Sequence, residues 1–120
     1  VIAATPTGST GYTLSAGGPI LYPEAKELVL QPIAAHMSFQ TGIVISSDSA
    51  IELRVNGEHD AVLSVDGSSD AVLRPDDVLI IRKSPHSARF LRNGQPAEFY
   101  ATLTQGLGVS GRQVPLRPAL

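Results

Sequence analysis

Ile51-Glu52-Leu53-Arg54-Val55-Asn56-Gly57, then Ala61-Val62-Leu63-Ser64-Val65-Asp66-Gly67, then Ala71-Val72-Leu73, is the stretch that decides the fold class. Ile51, Leu53 and Val55 alternate with Glu52 and Arg54, and Ala61, Leu63 and Val65 repeat the pattern. Successive side chains of a strand point to opposite faces, so this period of two predicts half-buried strands. Asn-Gly and Asp-Gly are hairpin dipeptides because both residues tolerate a positive φ. The expectation is one hairpin turning at Asn56-Gly57, with Ala61 to Val65 as the partner strand, and a second turning at Asp66-Gly67.

The same punctuation continues on both sides. Pro75-Asp76-Asp77 reads as a turn into Val78 to Arg82, whose Val-Leu-Ile-Ile run predicts a strand buried on both faces. His86 to Arg92 and Glu98 to Thr104 alternate again around an Asn93-Gly94 turn. Upstream, Ile43-Val44-Ile45 makes a strand that ends in the turn residues Ser46, Ser47, Asp48 and Ser49. Glu24 to Leu30 is open between helix and strand: Glu24, Ala25, Lys26 and Glu27 favour helix, while Leu28-Val29-Leu30 is a buried run. Short strands closely spaced by such turns predict one all-β domain over residues 1–120. It should be mainly an antiparallel β-sandwich with at most one or two short helical turns.

Composition narrows the class. With 120 residues, 42% hydrophobic and 17% charged, the chain can bury a core without staples. No apolar run is long enough for a membrane-spanning helix, so no membrane partner is expected. Cysteine is absent, which excludes disulfides and thiolate metal sites and makes a cytoplasmic location the simplest expectation. The net charge of −2 gives no argument for nucleic acid. Basic residues do gather late, as Arg82, Lys83, Arg89, Arg92, Arg112 and Arg117, but no aromatic residues are interleaved as a stacking platform requires. The chain starts at Val1 inside a strand-like run and is expected to be a piece of a longer protein.

Chemistry concentrates in Thr5-Pro6-Thr7-Gly8-Ser9-Thr10-Gly11-Tyr12-Thr13-Leu14-Ser15-Ala16-Gly17-Gly18-Pro19. Six of these residues carry a small hydroxyl and four are glycine, so the segment offers N–H groups, hydroxyls and close backbone approach without bulk. It follows Val1-Ile2-Ala3-Ala4, a strand end, and so forms a loop where binding groups are commonly mounted. A plain structural crossover would use the same glycines and Pro6. Tyr12 favours a binding role, because a ring there can lie along a planar ligand. One short helical turn is expected between Leu14 and Leu21, ended by Gly17-Gly18-Pro19.

Other motifs lack their context. Gly106-Leu107-Gly108-Val109-Ser110-Gly111 is a literal GxGxxG, but Pro115 and Pro118 deny it the long helix of a dinucleotide fingerprint. No Gly-Lys-Ser/Thr makes a Walker loop. His36, His59 and His86 lack zinc spacing. No nucleophile elbow supports a Ser-His-Asp triad.

Taken together, Thr5 to Leu21 resembles the signature of the NAD kinases, which phosphorylate the adenosine 2′-hydroxyl of NAD. The likeness continues through Leu30, Pro32, Ile33 and His36 into Ile43-Val44-Ile45, and on to Ser64-Val65-Asp66-Gly67 and Asp77-Val78-Leu79-Ile80. It departs at three places: Gly11 stands where the family usually has alanine, Thr41-Gly42 where it has an arginine-proline step, and Ser68 where a glutamine often follows Asp-Gly. The competing readings are the C-terminal domain of a related lipid kinase of the diacylglycerol or sphingosine type, and a non-enzymatic β-sandwich binding module. The Thr-Pro-Thr-Gly-Ser-Thr run followed by Gly-Gly-Pro favours NAD kinase over both.

The resemblance implies the C-terminal domain of a two-domain fold. It also implies an N-terminal domain carrying a Gly-Gly-Asp-Gly motif, whose aspartate is held to be the base, and an Asn-Glu pair; neither occurs here. No catalytic residue is therefore expected in this chain, which alone should be inactive, and no protein metal ligand is assigned. By position, Thr10, Gly11 and Tyr12 would line the adenosine end of NAD, with Thr13, Leu14 and Ser15 beside them and Thr7 close to the adenine. Ala34 would offer backbone to the nicotinamide side with His36 nearby, and Asp66 and Ser68 complete the implied NAD-binding set. NAD and ATP as substrates, Mg²⁺ or another divalent cation with the ATP, and assembly as a homodimer or homotetramer are implied in the same way.

Overall fold

Strands β1 (Ile2–Ala4), β2 (Glu27–Gln31) and β3 (Ile43–Ser46) form a three-stranded antiparallel sheet with β2 in the middle. They belong to a computed structural model that describes residues 1–35, 39–91 and 98–108, with the backbone alone at 69 and 70. Ile2 pairs with Gln31 and Ala4 with Val29 on one side, and Leu30 pairs with Ile43 and Glu27 with Ser46 on the other. The open choice at Glu24 to Leu30 is thus settled as strand from Glu27 onward, with residues 24–26 forming neither helix nor strand. Helix propensity differs by only about 0.7 kcal/mol per ordinary residue, and a central strand that buries Val29 between two neighbours outweighs it. Val29 and Gln31 share the buried face of β2.

β4 (Ile51–Arg54) pairs with β7 (Val78–Ile81), and β5 (Ala61–Val65) with β6 (Ser68–Leu73), both antiparallel. Among the described residues every ladder is antiparallel, in line with the expected mainly antiparallel all-β fold. The chain falls into two compact units, Val1–Pro85 and His86–Leu120.

The Asp66-Gly67 hairpin is found as expected. Asp66 at φ 50° and Gly67 at φ 82° give the two left-handed residues of a tight turn between β5 and β6. Because an L side chain costs about 1–2 kcal/mol in that region, Gly67→Ala should lower the melting temperature by a few degrees, a shift readable in a thermal melt.

The Asn56-Gly57 hairpin is not formed. Gly57 does take a positive φ of 114°, but β4 pairs with β7 instead of β5. Val55 N–H donates to Asp77 O and Asp76 N–H to Val55 O, each at 2.9 Å, so the residue next to the dipeptide is already zipped to the far strand. The β5–β6 hairpin is therefore an insertion between β4 and β7. β7 is also not buried on both faces: with β4 as its partner, it half-buries Leu79 and Ile81 and exposes Val78 and Ile80. The Pro75-Asp76-Asp77 turn is present, with Asp77 Oδ2 accepting from Arg74 N–H at 2.7 Å.

In the second unit, residues 86–91 form no strand, and Glu98 to Thr104 is helical: α2 spans Glu98–Gly106. The period-two reading of this segment fails because Phe99 and Leu103, its half-buried residues, also stand at the i, i+4 spacing of a helix face. Thr104 Oγ1 bonds back to the carbonyls of Tyr100 and Ala101, both at 3.0 Å. The Asn93-Gly94 turn and Arg112 and Arg117 lie outside the described residues.

Candidate functional site

The Thr5–Pro19 segment leaves β1 and at once coils tightly. Thr7–Thr10 is one 3-10 turn, and α1 (Tyr12–Ser15) is one α-helical turn. The helical turn therefore begins before Leu14 and is preceded by a second, tighter one. Gly11 N–H donates to Gly8 O at 3.0 Å, and Leu14 N–H to Gly11 O at 3.1 Å, so Gly11 is the joint between the two turns. α1 ends in a Schellman arrangement: Gly18 N–H donates to Thr13 O at 2.8 Å and Gly17 N–H to Leu14 O at 2.9 Å. That arrangement needs a left-handed residue at Gly17, whose φ is 79°.

The hydroxyls divide into two sets. Ser9 is fully buried; its Oγ donates to Pro6 O at 2.6 Å and accepts Leu21 N–H at 2.9 Å, fastening the coil to the chain that leaves it. Thr13 is buried as well, with Oγ1 unpartnered. Thr7, Thr10 and Ser15 are exposed. Thr5 and Thr7 Oγ1 lie 3.3 Å apart, Thr5 Oγ1 accepts Gly8 N–H at 3.4 Å, and Thr10 Oγ1 donates to Thr7 O at 3.3 Å. Tyr12 projects its ring into solvent, 65% exposed, from the first residue of α1. A rigid coil pinned from inside thus presents an aromatic ring and a rim of hydroxyls outward.

The Ser9 hydroxyl carries two hydrogen bonds, and its removal orphans the part-buried Leu21 N–H. An unsatisfied buried donor costs about 1–3 kcal/mol, so Ser9→Ala should lose stability of that order while Ser9→Thr, which keeps the oxygen, should lose less; chemical denaturation measures both.

Beside the coil lies a pocket of about 220 Å³ lined by Ala16, Gln31, Pro32, Ala34, Ala35 and Gln40. Ala34 enters it with a positive φ of 47°, an uncommon conformation for alanine. Ala34 and the end of the Tyr12 coil, at Ala16, both line this pocket. His36 lies outside the described residues. Asp66 and Ser68 sit at the tip of the β5–β6 hairpin, on a different sheet from β1, where Ser68 Oγ donates to Val65 O at 2.9 Å. Among the described residues no three His, Asp or Glu side chains converge to hold a metal ion.

Sequence reasoning missed Ser9 and Gln31. Ser9 was one hydroxyl among six, with nothing to separate inward from outward. Gln31 did carry a signal: it is polar, yet two residues beyond Val29 in the same strand, in phase with the buried face.

Residues 1–93 match the family model described as the ATP-NAD kinase C-terminal domain. The chain is similar to an NAD kinase of Chloroflexus aurantiacus, 40% identical over 107 residues that cover 89% of this chain and 39% of that protein. It is likewise 39% identical over 102 residues to an NAD kinase of Dehalococcoides mccartyi, covering 85% of this chain and 36% of that one. Among solved structures it resembles yeast NADH kinase complexed with NADH, with a TM-score of 0.77 and 27% identity, over 96% of this chain and 34% of that one. The chain spans somewhat over a third of the length of these curated relatives.

Proposed function

Since this chain belongs to the ATP-NAD kinase C-terminal domain family, we propose that it supplies the NAD-binding part of an NAD kinase, which transfers a phosphoryl group from ATP to the adenosine 2′-hydroxyl of NAD. The observation that carries this reading is Tyr12, an exposed ring on a coil whose buried hydroxyl, Ser9, holds it rigid. Phosphoryl transfer asks mainly for positioning and charge stabilisation. A coil of this kind positions a base and a ribose. In this reading Thr10, Gly11 and Tyr12 line the adenosine end of NAD with Leu14 and Ser15 beside them, Thr7 lies near the adenine, and the Ala34 backbone faces the nicotinamide side with His36. Thr13, being buried, would support the coil from below rather than touch the ligand with its hydroxyl.

Catalysis would require a second domain carrying the base, and the chain alone would be inactive. The divalent cation that accompanies ATP is assigned no ligand on this chain. The family match supports this reading over the lipid-kinase alternative. We further propose assembly as a homodimer or homotetramer, for which Val62 and Val72, cross-strand partners that are 70% and 63% exposed, offer apolar surface. Such a pair is a natural surface for a partner to cover.

The test is calorimetric titration of NAD and NADP into the full-length protein, beside a coupled assay for NADP formation with ATP and magnesium. NADP formation by the full-length protein, with weak or no binding by this domain alone, supports an interdomain site. Neither binding nor NADP formation by the full-length protein would return the Thr5–Pro19 coil to a structural role.

A further inference from the structure

We propose that Gln31 is a positioning residue for the nucleotide site, clamping the end of the Tyr12 coil to Pro32 and Gln40; this rests on the reading of the site given above. Gln31 is 1% exposed, at a position where β2 would ordinarily place an apolar side chain. Its Nε2 lies 3.2 Å from Ala16 O, 3.1 Å from Pro32 O and 3.3 Å from Gln40 O. All three acceptors belong to the wall of the 220 Å³ pocket. One amide nitrogen thus ties together the helix end that follows Tyr12, the chain leaving β2, and the chain entering β3.

The orientation of this amide follows from its surroundings. Turning it over would aim Oε1 at three carbonyl oxygens, an arrangement with no donor among four acceptors. Held as it is, Oε1 is buried and unpartnered. A buried acceptor without a donor is a standing cost, tolerated here together with the nitrogen's three contacts.

Two glycines make the space. A Cβ at Gly18 would stand 2.9 Å from Gln31 Oε1, and a Cβ at Gly42 would overlap the same oxygen and come within 2.8 Å of Pro19 Cδ. This accounts for one departure from the family pattern noted in the sequence. Position 42 here lacks the Cβ that a proline would carry, because the Gln31 amide occupies that volume. Gln31 and Gly42 are therefore one device, and the coil's placement relative to Ala34 depends on it.

The experiment uses the full-length protein with Gln31→Met, which keeps the length of the side chain and removes the donor, and Gln31→Glu. Gln31→Met is expected to raise the Kd and KM for NAD about tenfold with kcat changed less than about twofold, the pattern of lost uniform binding. In Gln31→Glu, burial among carbonyls pushes the carboxyl pKa up; protonated, it donates one O–H, and ionised, it repels the carbonyls. NAD affinity of this variant, relative to wild type, should therefore weaken as pH rises.

Unchanged Kd for NAD in folded Gln31→Met protein, or a pH-independent ratio for Gln31→Glu, would reduce Gln31 to core filling and overturn the proposal. Should the wild type bind no NAD, the functional reading falls and the clamp is judged by amide hydrogen exchange at Ala16, Gly17 and Gly18. Faster exchange there in Gln31→Met sustains the clamp, and unchanged exchange overturns it.

Discussion

Tyr12→Ala in the full-length protein is expected to weaken NAD binding by between roughly fivefold and a hundredfold while leaving the melting temperature nearly unchanged. Aromatic stacking on a base contributes about 1–3 kcal/mol by alanine substitution, and each 1.4 kcal/mol is about a factor of ten in affinity. The ring is 65% exposed, so truncating it takes little apolar surface out of the folded protein's interior. What Tyr12 gives the fold is its backbone: its carbonyl accepts Ala16 N–H at 2.9 Å, a bond that alanine keeps. Tyr12→Phe separates the ring from its hydroxyl, and retention of most of the affinity by Tyr12→Phe would assign the effect to stacking. Calorimetric titration beside a thermal melt reads both quantities. Loss of stability with unchanged affinity in the folded fraction would remove Tyr12 from the site.

The parts of the molecule that were legible in the sequence are those in which the signal is local. Asp66-Gly67 fixes its own turn because both φ values are decided within the dipeptide, and the two strands it joins are its immediate neighbours. The coil was legible as a loop with a helical turn because glycines and hydroxyls crowd one short run. Pairing at a distance was not legible. Asn56-Gly57 has the same local chemistry as Asp66-Gly67, and Gly57 has the positive φ that chemistry allows. Yet whether β4 pairs with β5 or β7 depends on Asp76 and Asp77, about twenty residues away. Glu98 to Thr104 shows the other limit: Phe99 and Leu103 satisfy a period of two and a period of 3.6 equally, so periodicity over seven residues does not choose.

Within the candidate site, identity was legible before orientation. The hydroxyl set could be named from the sequence, but Ser9 and Thr13 turn inward while Thr7, Thr10 and Ser15 turn outward. That division comes from the tight coiling on either side of Gly11, which no single residue announces. The network around Gln31 was hidden for a different reason. Its partners are main-chain carbonyls, and a carbonyl has no residue type to read.

Gly18→Ala is expected to be the most destabilising single-methyl addition in the coil, at about 3 kcal/mol or more, the upper part of the range for overpacking a filled interior. The new Cβ would stand 2.6 Å from Thr13 Cγ2, 2.8 Å from Thr13 O and 2.9 Å from Gln31 Oε1. Thr13 O cannot retreat, because it accepts Gly18's own N–H at 2.8 Å and so closes the end of α1. Nor can the amide swing aside without releasing the three carbonyls that hold its nitrogen. The neighbouring Gly17→Ala supplies the control. No atom lies within 4 Å of a Cβ there, so its cost is the strain of a positive φ alone, about 1–2 kcal/mol. Thermal melts of the two variants in the full-length protein should therefore differ, with Gly18→Ala lower by several degrees. Equal melting temperatures would mean that the Thr13–Gly18–Gln31 contact is looser than described. The order of the two variants thus reports directly on whether the coil is closed by shape or only by backbone conformation.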